Sequence, residues 1–169
     1  MKAILERRSI RKYKEEKVPM EDVKELLKAA MQAPSAGNTQ PWEFIVVDDK
    51  EKLVEVTKVH KYSFMLPNAS YGIVVCATPD KEIHKGYWPQ DCAAAVTNIL
   101  IKAEDMGLGA VWLGVYPEDD RVVELRKIFN VDEDVVPFAI VSVGYPDEEK
   151  KFDDRYDEKK VHYNSYKSK

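Results

Sequence analysis

The sequence predicts a single layered domain of α/β or α+β class, residues 1–169. Three observations carry that expectation. Short β-branched runs alternate with segments of helical apolar spacing, the pattern of a sheet covered by helices. The run Gly72-Ile73-Val74-Val75-Cys76-Ala77 is almost wholly apolar, as a central strand covered on both faces must be. The chain is also of single-domain size, long enough to bury most of its apolar surface without disulfides or metals, and no repeat or linker divides it.

The elements follow from local pattern. A short amphipathic opening with Ile4 and Leu5 precedes Arg7-Arg8-Ser9-Ile10-Arg11 and Tyr13. Val23, Leu26, Leu27, Ala30 and Met31 recur at helical spacing after Pro19, which predicts a helix over 20–32 that Pro34 ends. The loop from Pro34 to Pro41 is thus held between a helix and a strand over 43–47, Glu43-Phe44-Ile45-Val46-Val47. Leu53, Val56 and Val59 place a helix over 50–59, and 63–70 reads as irregular. After the strand at 72–77, the loop 78–88 leads through Pro89 into the longest helix, 90–106. Cys92, Val96, Ile99, Ala103 and Met106 line one side of that helix, and Ala93, Ala94 and Ala95 let other backbones come close. Gly107 and Gly109 close it before a strand over 110–115. The spacing of these glycines is not a dinucleotide fingerprint, because they follow a helix and precede a strand. A helix over 118–129 (Val122, Val123, Leu125, Ile128 inward) and a strand over 136–143 complete the core.

From Asp147 onward the chain is strongly charged, with Phe152, Tyr156, Val161 and Tyr163 as sparse apolar anchors. Such a tail cannot form a core of its own, so it is either disordered or laid across another surface.

Composition excludes several classes of function. The 26 basic and 30 acidic side chains leave a formal charge of -4, which argues against a general nucleic-acid or membrane-surface binder. No apolar run is long enough to span a bilayer, and Lys2, Glu6, Arg7 and Arg8 interrupt what a signal peptide would need as an apolar core, so a cytoplasmic location is expected. Cys76 and Cys92 lack the paired spacing of zinc sites or redox dithiols and read as buried thiols. His60, His84 and His162 stand apart without a ligand pattern, so no metal site is expected. Ser9, Ser35 and Ser63 lack a nucleophile-elbow setting. Asp119-Asp120 reads as a helix start, and Asp91 and Asn98 as structural hydrogen-bonding groups in the long helix.

Two stretches point to chemistry. Arg7, Arg8 and Arg11 with Ser9 put three guanidiniums and a hydroxyl within five residues, a set suited to phosphate or carboxylate, though a solvated basic segment has the same local composition. Ala33-Pro34-Ser35-Ala36-Gly37-Asn38-Thr39-Gln40-Pro41-Trp42 is the second; read alone, Ser35 to Asn38 is an ordinary turn and Trp42 is core. In this order and spacing, the two resemble the nitroreductase-like family of FMN-dependent NAD(P)H oxidoreductases. The family opens with an Arg-Arg-Ser-x-Arg-type motif and carries Pro-Ser-x-x-Asn-x-Gln-Pro-Trp shortly after. The resemblance continues through Gln90 to Ala95, Gly107 to Gly114 and His162-Tyr163, and so covers nearly the whole chain.

The resemblance implies an α+β three-layer sandwich, a mixed and mainly antiparallel sheet between helices, with residues 147–169 as a domain-swapped tail around the partner subunit of a homodimer. It implies FMN as cofactor and NADH or NADPH as donor. Arg7, Arg8, Ser9 and Arg11 would hold the phosphate, ribityl chain and pyrimidine edge, with Arg155 as a further phosphate partner. Pro34, Ser35, Ala36, Gly37, Asn38 and Gln40 would reach the flavin of the opposite subunit, making each site composite. Leu113 and Gly114 would set backbone groups beside the reactive N5, so no catalytic side chain is required; a strand-terminating glycine is the other reading of Gly114. The implied reaction is hydride transfer from NAD(P)H through FMN to nitroaromatics, quinones or flavins in ping-pong order, with neither nucleic acid nor membrane as partner. Segments 59–71 and 78–88 are brief, so the lid of larger members is reduced, and Lys61, Lys150 and Lys151 are the basic side chains left to consider near the flavin. The alternatives are a flavin-binding protein without turnover, or a specialised branch such as a reductive dehalogenase or flavin-cleaving enzyme.

Overall fold

Alternating strands and helices produce a sheet covered on both faces. In a computed structural model, which describes residues 2–166, four strands pair antiparallel in the order β1-β2-β4-β3. They are β1 (Trp42–Val47), β2 (Tyr71–Ala77), β3 (Gly109–Gly114) and β4 (Val136–Gly144). A single parallel bridge, Ser9 to Ala110, lies outside these strands. Met1 and the last three residues of the expected tail, 167–169, lie outside the described residues.

The two central strands explain the apolar runs. Ile73, Val75 and Ala77 of β2 and Ala139, Val141 and Val143 of β4 enter one core layer. Val74, Cys76 and Ile140 enter the other, as the two-residue period of a pleated strand requires. Helices α2 (Met20–Met31) and α4 (Trp88–Asp105) cover the first face; α3 (Lys50–Val59) and α5 (Asp119–Phe129) cover the second. A single turn, α1 (Ala3–Glu6), rests on α4.

Helix ends follow their chemistry. The Asp49 carboxylate caps α3 by accepting from the N–H groups of Glu51 and Lys52, and Asp119 and Asp120 stand in the first turn of α5 where the helix dipole favours anions. The longest helix starts at Trp88, ahead of the expected residue 90, because Pro89 is tolerated in a first turn whose N–H groups have no intrahelical acceptor. Its apolar circumference is taken up by the sheet on one side and by α2 on the other. Cys76 and Cys92 are buried and unpaired, and burial pushes both thiols up to about 12, so neither is a nucleophile at neutral pH.

One packing feature positions the N-terminal segment that carries the arginines. Gly109 and Gly144 face each other across β3 and β4. A Cβ on Gly109 would come 2.7 Å from Ile10 Cγ2, and one on Gly144 would come 2.8 Å from Tyr13 Cδ1. Only bare backbone lets Ile10 and Tyr13 lie across these strands. Burying those two side chains stabilises the N-terminal strap by roughly 1.5–3 kcal/mol each. The Tyr13 hydroxyl donates to the Ile10 carbonyl at 2.8 Å and meets Ser142 Oγ at 2.6 Å, and burial raises its pKa.

The chain after β4 runs back along the same strap. Lys14 N–H donates to the Tyr145 carbonyl and Asp147 N–H to the Lys12 carbonyl, each at 2.9 Å. Beyond these residues the tail is extended, with one turn at Glu158–Lys160 and with Phe152, Tyr156, Tyr163 and Tyr166 exposed.

Candidate functional site

The arginine-rich motif is held as a strand with a partner on each side. Ile10 N–H donates to the Ala110 carbonyl of β3 at 3.0 Å. On the other side Arg11 N–H donates to the Glu148 carboxylate, and the Lys150 ammonium donates to the Ser9 carbonyl. The Arg11 N–H and then Lys150 hold the Glu148 carboxyl below the usual carboxylate range.

This backbone arrangement separates three arginines that look alike in sequence. Arg8 turns onto its own chain: Nη1 donates to the carbonyls of Leu5, Glu6 and Arg7 at 2.9, 3.2 and 2.8 Å, and Nε to that of Lys151 at 3.1 Å. The Phe152 ring centroid lies 5.6 Å from its guanidinium. Arg8 therefore caps α1 and ties down the start of the tail. Arg7 lines a groove of about 220 Å³ with Arg8 and Arg155, so the tail arginine stands beside the motif of its own chain. Arg155 is mostly exposed and 3.6 Å from Asp153.

Arg11 opens onto a different space. With Leu113 and Gly114 it lines a cleft of about 250 Å³ whose other walls are His60, Tyr62, Phe64, Trp112 and Arg121. Gly114 ends β3, the edge strand of the sheet, and a Cβ built on it would meet nothing within 4 Å. Unlike Gly109, it is not required by packing; the space above it is open to a ligand. Its carbonyl accepts from His60 Nε2 at 2.9 Å and from Arg121 Nη1 at 3.0 Å. His60, expected as a surface or structural histidine, is 1% exposed. Neither His60 nor Arg121 carried a sequence signal, since each reaches Gly114 only through the tertiary fold.

The loop Pro34 to Gln40 lies at the same end of the sheet but at the opposite edge, before β1. Gly37, Asn38 and Gln40 have φ values of 61°, 56° and 51°, and for the two non-glycine residues this left-handed backbone is unfavourable. Local bonds sustain it. Gln40 N–H donates to Ser35 Oγ, Gln40 Nε2 to Asn38 Oδ1 and Ala36 N–H to Asp91 Oδ1, each at 3.0 Å. The Asn38 amide N–H groups and the Gln40 amide oxygen remain for a ligand with donors and acceptors along one edge. Asp91 and Asn98 have the expected structural role; Asn98 Nδ2 donates to the Ala29 carbonyl at 3.0 Å.

Asp91 is 5% exposed, so its bond to Ala36 is well shielded. Asp91→Ala is expected to leave the Ala36 N–H unpartnered, costing about 1–3 kcal/mol of stability and releasing the loop. Asp91→Asn keeps an acceptor and should cost less. Urea unfolding of the two variants checks this, and equal losses would contradict it.

Within one chain the two motifs do not meet: β1 and β3 are separated by three inter-strand steps of about 4.8 Å each. The three remaining lysines are placed away from a shared role. Lys150 binds the Ser9 carbonyl and lies 3.5 Å from Glu148; Lys61 sits 4.9 Å from the Tyr62 ring centroid; Lys151 offers its carbonyl to Arg8. A larger concavity of about 430 Å³ around Lys14, Lys17, Asp48 and Lys50 lies apart from both motifs. Lys17 there is paired with Asp48 at 2.8 Å, and Lys50 with the Ala69 carbonyl. Among the described residues no group of His, Cys, Asp or Glu could hold a metal ion, and no helix is long and apolar enough to cross a membrane.

The chain is similar to several known proteins. The model of the Nitroreductase family matches residues 4–64 and 55–145. A protein of Archaeoglobus fulgidus with the provisional name NADH dehydrogenase/NAD(P)H nitroreductase is 48% identical over 166 residues, covering 96% of this chain and 95% of that one. An FMN-dependent nitroreductase of Clostridium difficile superposes with a TM-score of 0.90 at 38% identity, covering 98% of this chain and 100% of that structure. An iodotyrosine deiodinase of Thermotoga neapolitana is 30% identical, with 85% of this chain and 87% of that protein covered.

Proposed function

The chain belongs to the nitroreductase family, and from that premise we propose an FMN-dependent oxidoreductase that draws on NADH or NADPH and reduces electron-poor acceptors, nitroaromatics, quinones or flavins, in ping-pong order. When bound, FMN supplies the hydride-transfer chemistry, which leaves the protein to bind, orient and set the local charge.

The observation that carries this reading is the cleft at Gly114: a sheet-edge glycine with open space above it, guanidiniums of Arg11 and Arg121, and the aromatic walls of Tyr62, Phe64 and Trp112. A planar, electron-poor ring system that gains negative charge on reduction fits such a place. Arg7, Ser9, Arg11 and Arg155 would hold the phosphate, ribityl chain and pyrimidine edge. Arg8, whose Nη1 and Nε donate to backbone carbonyls while Nη2 is left without a partner, would keep that strap in shape from behind and has one nitrogen left for the cofactor. Leu113 and Gly114 would stand at the reactive edge, with protons drawn from solvent in so open a site.

The second half of the site would come from another copy of the chain. Pro34, Ser35, Ala36, Gly37, Asn38 and Gln40 would reach the flavin held by their partner, in a homodimer with two equivalent sites. Two features support this: the halves lie at opposite edges of one sheet, and the tail carries exposed aromatic residues that its own chain does not cover.

The deiodinase relative favours reductive dehalogenation as a second reading, but segments 59–71 and 78–88 offer little chain to enclose a substrate. A flavin-binding role without turnover is the third. The test is direct: purified protein reconstituted with FMN should be yellow and should bleach anaerobically with NADH or NADPH. A protein that takes up no FMN overturns the proposal, and a yellow protein that neither nicotinamide bleaches is a flavin carrier.

A further inference from the structure

The Gly114 carbonyl, at the last residue of an edge strand, accepts from two side-chain donors. His60 Nε2 reaches it from the end of α3, and Arg121 Nη1 from the first turns of α5. A carbonyl only accepts, so the His60 tautomer must carry its hydrogen on Nε2. Nδ1 is buried with no partner, so the imidazole gives up a hydrogen bond to reach this carbonyl. An edge strand ordinarily leaves such a carbonyl to water, and a glycine there has no side chain to fix its peptide planes. The two donors supply what the missing side chain does not.

We propose that His60 and Arg121 are positioning residues which together hold the Gly114 peptide in the orientation that the flavin edge docks against. The inference rests on the functional reading above, and it assigns a task to two residues outside both sequence motifs. They act through Gly114 rather than on the reacting atoms. Each approaches from a different helix on the same face of the sheet, so the grip resists rotation of the peptide in a way that one hydrogen bond does not. Arg121 also lies within the cleft itself, so its charge faces the same space as that of Arg11.

The test compares conservative with non-conservative variants in the full-length protein. FMN affinity is read by flavin fluorescence titration, the environment of the bound flavin by visible circular dichroism, and folding by thermal unfolding without FMN. Arg121→Met and His60→Leu should each weaken FMN binding about tenfold and alter the visible dichroism, since each loses one hydrogen bond that fixes the docking edge. His60→Gln retains an N–H that can reach the carbonyl and should recover most of the affinity. Arg121→Lys retains charge but not the planar fork and should fall between parent and Met. Arg121 is partly exposed, so its variants should fold even if His60→Leu does not. The inference fails if Arg121→Met and His60→Leu bind FMN with the parental affinity and dichroism. It fails also if any loss merely follows a lowered melting temperature and Gln does not rescue His60. A parent protein that takes up no FMN would instead strike the functional reading on which the inference rests.

Discussion

Gly114→Val is expected to fold like the parent and to lose FMN. A Cβ at this position meets nothing within 4 Å, and valine is well suited to a strand, so the apo-protein should keep its melting temperature within a few degrees. The two methyl groups would instead fill the space above the backbone where the flavin edge is proposed to lie. Overfilling a fitted space costs typically about 1–3 kcal/mol, which corresponds to roughly five- to a hundred-and-fiftyfold in dissociation constant. Turnover of whatever FMN is retained should fall further, because a displacement of about 1 Å at the reacting edge can cost on the order of a hundredfold. The control is Gly109→Val, where the added side chain collides with Ile10 and the strap itself should be lost. Fluorescence titration with FMN, beside thermal unfolding, separates the outcomes. Unchanged affinity in Gly114→Val would show that the cleft serves something other than the flavin, and an unfolded Gly114→Val would make the glycine structural.

The contrast between these glycines shows what could and could not be read from sequence. The helices at 20–32 and 50–59 and the central strand at 72–77 were legible because their signals are local: apolar residues return at the period of the element that buries them. Gly109 was legible only as the close of a helix. Its actual constraint is contact with Ile10, a residue ninety-nine positions away on the strap, and no local pattern records that. Arg7, Arg8 and Arg11 are equivalent by composition. Only the path of the backbone between Ala110 and Glu148 turns Arg8 inward onto carbonyls and leaves Arg11 at the cleft. The motif spacing pointed to a family and through it to the site residues, whereas His60 and Arg121 became visible only once their hydrogen bonds to Gly114 were seen. From composition alone the tail is either disordered or laid across another surface. Its first residues bind the strap of their own chain, through Asp147 N–H, Glu148 and Lys150, and the exposed aromatic residues begin at Phe152.

The central claim is that each flavin site is assembled from two chains, Arg7 to Arg11 of one and Ser35 to Gln40 of the other. Its most direct measurement is subunit mixing. One parent of the mixture carries Arg7→Ala with Arg11→Ala, removing charge-assisted hydrogen bonds worth roughly 1.5–3 kcal/mol each. The other carries Asn38→Gly with Gln40→Gly; glycine removes both amides while accepting the left-handed backbone found there, so the loop is not strained by the change. Each variant alone should bind FMN weakly and turn over little. Unfolded and refolded together, half of the dimers should be mixed, and in each of these one site collects all four changes while the other collects none. FMN-dependent NAD(P)H oxidation should therefore return to about a quarter of the parental value, with FMN titrating into a matching fraction of tight sites. If every site belonged to a single chain, each site in each dimer would stay damaged, and activity after mixing would not rise above that of the separate variants.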